Sequence, residues 1–198
     1  MNYLAHFYLS GNNDHVLFGN FIGDAIKGKQ WEVYSPDIQK GIFLHRFIDD
    51  FIDKHPFSQE SRKRIRKDFG ITSPVVLDVY FDHFLSRNWK DYHVIDLAHF
   101  TKITFDRLRP LKSEMTGFYP MMIEKMESES WILSYQTIEG TAKVLDRMSK
   151  RVRFKNNWQL ADKVLRENYR ELENDFQCFF PEIISAVEKT FDIKPFNS

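Results

Sequence analysis

Apolar residues recur along this chain at helical spacing, and sustained alternation of the strand kind is absent. The stretch 41–56, GIFLHRFIDDFIDKHP, sets the pattern: Ile42, Phe43, Phe47, Ile48, Phe51 and Ile52 cover most of a helical cylinder. A helix apolar over most of its circumference is a buried one. Ser35-Pro36 supplies an N-cap and a proline at the first helical position, and His55-Pro56 stops the helix. A second run, residues 74–89, PVVLDVYFDHFLSRNW, is nearly as apolar and starts after Ser73. Between them, residues 58–68 form a basic segment that Gly70 ends. Residues 15–26 predict an earlier helix, in which Gly19 and Gly23 at i, i+4 allow close approach of another backbone. Further helical segments are predicted at 96–108, 118–129, 132–135, 138–148 and 158–188, the last broken near Pro181, with a frayed tail at 191–198. The reading is an all-α chain, residues 1–198 as one domain, with roughly seven to nine helices.

Polar groups interrupt both apolar helices in the same way. His45, Asp49 and Asp53 stand at i, i+4 and i+8, a step that drifts only ~40° around a helix, so they share one stripe. Asp78 and Asp82 repeat the spacing, and His83 follows directly. Ionised groups inside a buried helix need compensation. A divalent metal is the simplest source, and mixed imidazole and carboxylate shells suit Mn²⁺, Fe²⁺, Mg²⁺ or Zn²⁺. The candidate ligands are His6, Asp24, His45, Asp49, Asp78, Asp82 and His83. The competing reading of each cluster is a salt-bridge ladder or a satisfied core pair without chemistry.

Composition narrows the class. The chain has 198 residues, equal numbers of acidic and basic side chains, one cysteine, and a bulky aromatic content of 19 Phe, 8 Tyr and 4 Trp. One cysteine excludes an internal disulfide and fits a reducing compartment, and Cys178 in DFQCFF reads as an inert core thiol. No signal peptide and no membrane span are expected, which makes the protein soluble and cytoplasmic. Two basic knots, 62–67 and 147–153, suit phosphate or an acidic partner, while the neutral balance and lack of a reader motif argue against nucleic acid. No nucleophile elbow, phosphate-binding loop, dinucleotide fingerprint or CxxC pair is present.

Five strings taken in order, MNYLAH at the start, GNFIGD at 19–24, GIFLHRFIDDFID at 41–53, LDVYFDHFLSRNW at 77–89 and RMSKRVRF at 147–154, resemble the acyl carrier protein phosphodiesterases. Ile52 and Gly23 depart from residues common in that pattern, Thr and Ala. The resemblance implies an all-helical, HD-like phosphohydrolase that needs a divalent cation, typically manganese. It implies hydrolysis of the phosphodiester between 4′-phosphopantetheine and a serine of holo-acyl carrier protein, an acidic partner. His6, Asp24, His45, Asp49, Asp82 and His83 are then the expected metal ligands. Asp49, Asp53 and Arg46 are expected at the reacting phosphate, and Asn20, Asp78, Arg147 and Arg151 at the substrate. Two alternatives stay open: an HD-like phosphohydrolase of a nucleotide or small phosphate ester, and a non-enzymatic helical binding protein.

Overall fold

The computed structural model describes residues 1–115 and 117–196. Among these the chain forms twelve α-helices and no strand: α1 (Tyr3–Leu9), α2 (Asp14–Ile22), α3 (Pro36–Lys54), α4 (Pro56–Phe69), α5 (Ser73–Arg87), α6 (Trp89–Tyr92), α7 (Leu97–Leu108), α8 (Tyr119–Ser128), α9 (Trp131–Ser134), α10 (Ile138–Ser149), α11 (Ala161–Glu167) and α12 (Tyr169–Phe191). The all-α expectation holds. The helix number exceeds the sequence estimate because α1 and α6 are too short to show a period and the segment 158–188 divides into α11 and α12.

The fold is built around the α2–α3 pair, which pack closely because glycines face each other. A Cβ on Gly19 would lie 2.1 Å from the Ile38 carbonyl oxygen, and one on Gly41 2.2 Å from that of Val16. Any larger side chain at either point would force the two backbones apart. Proline opens α3, α4 and α5 within their first turns, where the missing N–H costs nothing. Helix α3 is only partly the enclosed element its composition implies. Leu44, His45, Ile48 and Ile52 are buried, whereas Phe43, Asp50 and Asp53 are exposed. Helix α5 is the more enclosed of the two, with Val76, Leu77 and residues 79–86 all buried.

Three expectations fail near the C-terminus. Pro181 lies inside α12, which continues through it, and the interruption falls at Asn168 instead. Phe179, Phe180 and Ile183 on either side of the proline are fully buried, and their packing outweighs one lost backbone bond. Cys178 is exposed: its apolar neighbours in sequence point into the core at helical spacing and leave it on the outer face. The tail is not frayed over 191–196. Ile193 and Phe196 are buried, and Phe196 donates its amide to the Tyr8 carbonyl at 3.3 Å and stacks on His93. Residues 197 and 198 of that expectation lie outside the described residues.

Candidate metal centre

Helix α1 brings the first histidine to the site, and α5 fixes α1. The first amides of a helix have no partner within it. In α1, Asn2 accepts from the Tyr3 amide at 2.9 Å, and Asp82 of α5 accepts from Leu4 at 2.8 Å and Ala5 at 3.2 Å. His6 therefore projects from a helix clamped at its N-terminus. His45 projects from α3, one turn before Asp49, and approaches the turn after α2 because Gly23 has no side chain: a Cβ there would meet the His45 Cβ at 2.5 Å. That turn carries Asp24.

Four groups converge. The two imidazoles stack with centroids 4.3 Å apart. His6 Nε2 lies 3.4 Å from Asp49 Oδ1, and His45 Nε2 lies 3.2 Å from Asp49 Oδ2 and 3.4 Å from Asp24 Oδ1. One ligand atom each from His6, His45 and Asp49 fall within 4.8 Å of one another. Both ring Nδ1 atoms are tied to Asn20, His6 to its Oδ1 at 2.7 Å and His45 to its main-chain oxygen at 2.8 Å. The cluster lines a cavity of about 450 Å³, together with Asp53, Asp78 and an apolar wall of Tyr3, Phe21, Ile52, Pro74, Val75 and Met148.

The charges are uneven. Burial would pull the His45 pKa down, but the Asp24 and Asp49 carboxylates beside it raise it to about 9. Burial and the neighbouring His45 hold His6 below the ordinary imidazole value. Burial raises the Asp49 pKa, yet contacts with His45 and His6 outweigh it and keep the group well below the carboxylate range. Burial pushes Asp78 up, although the Met1 amino group lies 3.2 Å away.

The residues present fit a divalent cation. His45 Nε2 is buried and makes no aligned hydrogen bond, and His6 Nε2 faces only oxygens, the Met1 carbonyl at 3.1 Å and Asp49. Two nitrogens and the carboxylate oxygens of Asp49 and Asp24 form a donor set of the borderline kind that takes Mn²⁺, Fe²⁺ or Zn²⁺.

The other expected residues divide between the cavity, which Asn20 and Asp53 also line, and positions away from it. Asp82 is fully buried, spent on the α1 amides, and lies outside the cavity lining; burial pushes it up to about 7. His83 faces away from the cluster: Nδ1 meets the Tyr135 carbonyl at 2.7 Å and Nε2 the Tyr169 hydroxyl at 3.1 Å. Adjacent residues on a helix point ~100° apart, and here Asp82 turns to α1 while His83 turns to Tyr135 and Tyr169. Arg46 does not reach the cavity. Its Nη2 donates to the Ile26 carbonyl at 2.9 Å, fastening the segment after Asp24. Asn20 is buried with its amide donating to the His6 carbonyl at 3.0 Å and Ser10 Oγ at 2.9 Å, so its side chain is fully engaged within the protein. Asp53 lines the cavity but pairs with Arg62. Arg147 pairs with Glu129 at 3.1 Å, and Arg151 lies over the Trp131 ring at 5.4 Å, next to Tyr3 of the cavity wall. Tyr3 and Met148 line the cavity without having been singled out in the sequence, where their apolar character matches that of any core residue.

A family model described as acyl carrier protein phosphodiesterase matches residues 1–183. The chain belongs to the acyl carrier protein phosphodiesterase family. Relatives carrying that name are similar to it over nearly full length on both sides. The Enterobacter sp. (strain 638) protein is 31% identical over 189 residues, 93% of this chain and 96% of that one. The Klebsiella pneumoniae (strain 342) protein is 30% identical over 193 residues, 95% and 98% of the two chains. No solved structure matches the chain. No helix among the described residues is long and apolar enough to cross a membrane.

Proposed function

We propose that this protein is a metal-dependent phosphodiesterase that hydrolyses the bond between 4′-phosphopantetheine and the serine of holo-acyl carrier protein, releasing the apo-protein and 4′-phosphopantetheine in the cytoplasm. Within the cell this places it in the turnover of the carrier used for fatty acid synthesis. The observation that carries the reading is the convergence of His6, His45 and Asp49 at the polar end of an open cavity, in a chain of this family. His6, His45, Asp49 and Asp24 would hold the cation, for which manganese is the first choice and Mg²⁺, Fe²⁺ and Zn²⁺ the alternatives. Bound there, the cation supplies charge neutralisation for a phosphate oxygen and acidifies water toward a pKa of ~7.

The chain's own residues do the rest. Asp49 and Asp24 flank His45 Nε2 at 3.2 and 3.4 Å and would share the cation with it. Asp78 lines the cavity beyond the cluster, 3.2 Å from the Met1 amino group, where it would hydrogen-bond the substrate. The Tyr3–Phe21–Met148 wall excludes water from one side of the phosphate and offers apolar contact to an arm leading out of the cavity. Arg151 is exposed over the Trp131 ring, which packs against Tyr3 of the cavity wall, and would be the basic residue to meet an acidic partner, whereas Arg62 and Arg64 are occupied by Asp53 and Asp175.

The test is mass spectrometry of holo-carrier protein incubated with this protein and Mn²⁺, beside a panel of free nucleotides. Loss of the phosphopantetheine mass with nucleotides intact is expected. Cleavage of nucleotides instead would assign the cavity to a small phosphate ester.

A further inference from the structure

We infer that Asn20 is a positioning residue that sets the tautomer of both imidazoles, so that both Nε2 lone pairs are presented to a cation beside Asp49. The inference rests on the metal-binding reading above, and the hydrogen bonds decide it without reference to any metal.

The orientation of the Asn20 amide is fixed first. One end of the amide lies 3.0 Å from the His6 main-chain oxygen. A carbonyl only accepts, so that end is the NH₂ group. The other end, 2.7 Å from His6 Nδ1, is then the amide oxygen, which also only accepts. His6 Nδ1 must carry a hydrogen. The same reasoning applies to His45 by a different route, since its Nδ1 lies 2.8 Å from the Asn20 main-chain oxygen. One residue thus accepts from both rings, through its side chain and through its backbone. A neutral imidazole protonated at Nδ1 has its lone pair at Nε2, the atom that faces Asp49 in both histidines.

Asn20 works against a local preference. Around His6 Nε2 lie the Met1 carbonyl at 3.1 Å and Asp49 Oδ1 at 3.4 Å, both acceptors. Without Asn20 Oδ1, these would draw the hydrogen to Nε2 and block the coordinating atom. Asn20 is 1% exposed and its NH₂ is held by the His6 carbonyl and Ser10 Oγ, so the amide cannot flip to relieve the conflict. Partners of this kind orient ligand rings and raise their basicity.

The two halves of Asn20 are separable by substitution. Asn20→Ala removes the side-chain acceptor for His6 and leaves the backbone acceptor for His45. Asn20→Asp keeps an acceptor for His6 and loses the two donated bonds. The experiment records long-range ¹⁵N–¹H spectra of the metal-free protein at about pH 8, and titrates chelator-treated protein with Zn²⁺ by calorimetry. Wild type and Asn20→Asp are expected to show His6 as the Nδ1–H tautomer, and Asn20→Ala as Nε2–H. Zn²⁺ affinity should fall about 10- to 100-fold in Asn20→Ala. In Asn20→Asp it should stay within about tenfold of wild type, although that variant melts at a lower temperature than wild type. A purely structural Asn20 would give affinities that follow the melting temperatures. An Nε2–H tautomer for His6 in the wild-type protein overturns the inference, as does wild-type Zn²⁺ affinity in folded Asn20→Ala. If Asn20→Ala does not fold, the wild-type and Asn20→Asp spectra decide. Absence of Zn²⁺ and Mn²⁺ binding to the wild-type protein would refute the metal centre, while the His6 spectrum would still judge Asn20.

Discussion

Two His/Asp pairs, His45 with Asp49 and His83 with Asp82, look alike on paper and do opposite things in the fold. Both sit on apolar helices. At the first, His45 Nε2 is buried without an aligned partner, and the carboxylates of Asp49 and Asp24 lie 3.2 and 3.4 Å from it on the wall of a cavity. At the second, Asp82 accepts two backbone amides, and both His83 nitrogens meet oxygen partners. The difference teaches that polarity on a buried helix is not itself a site. Unspent hydrogen-bonding capacity opening onto a space is what separates chemistry from architecture.

The sharpest way to break the comparison is to remove one histidine from each pair. His45→Ala should lose bound metal and lower turnover of holo-carrier protein on the order of 10³-fold. His83→Gln should keep wild-type metal content by elemental analysis. Equal loss of metal in both variants would erase the distinction.

The next effect is acid sensitivity. Burial pulls the His83 pKa from its ordinary 6.5 down to about 4. The unfolded chain takes up this proton as the pH falls through 6.5, and the folded protein does so only near 4. The contribution of His83 is therefore full above pH 6.5 and is lost on the way down to pH 4, amounting to roughly 3 kcal/mol. Urea unfolding at pH 7.5 and 4.5 should show a smaller drop for His83→Gln than for wild type, and an equal drop would refute this account.

Asp82 should act on stability rather than on chemistry. Asp82→Ala leaves the Leu4 and Ala5 amides of α1 without their acceptor, which should cost roughly 2 kcal/mol in thermal or urea unfolding. Bound metal per folded molecule should remain at the wild-type level. A variant as stable as wild type but free of metal would restore Asp82 to the ligand set.

The smallest effect concerns the rim. Arg151→Glu should raise KM about threefold at low salt with kcat little changed, and the difference should shrink in 0.5 M salt. Steady-state kinetics at two ionic strengths measure it. An unchanged KM at low salt would place carrier docking away from Trp131.

Much of this molecule was legible in one dimension. The apolar period marked the long helices, and the prolines at 36 and 74 marked two of their starts, while Pro56, read as a stop, also opens α4. The Gly19 position foretold the tight α2–α3 contact because only a missing side chain lets two backbones meet. The i, i+4 spacing of His45 and Asp49 placed them on one stripe, since a helix turns by a fixed angle per residue. The limits were equally physical. Whether Asp82 bonds a metal or a helix end depends on what packs opposite it, 77 and 78 residues away in the chain. Arg46 and Arg62 read in the sequence as available to a phosphate, but only the folded chain shows that the Ile26 carbonyl and Asp53 already occupy them. The amide of Asn20 could have faced substrate on sequence grounds; its burial between α1 and α3 turned it to the histidines instead. Local periodicity belongs to the backbone and is written in the sequence. The satisfaction of each buried donor and acceptor belongs to long-range packing, and only the tertiary structure decides it.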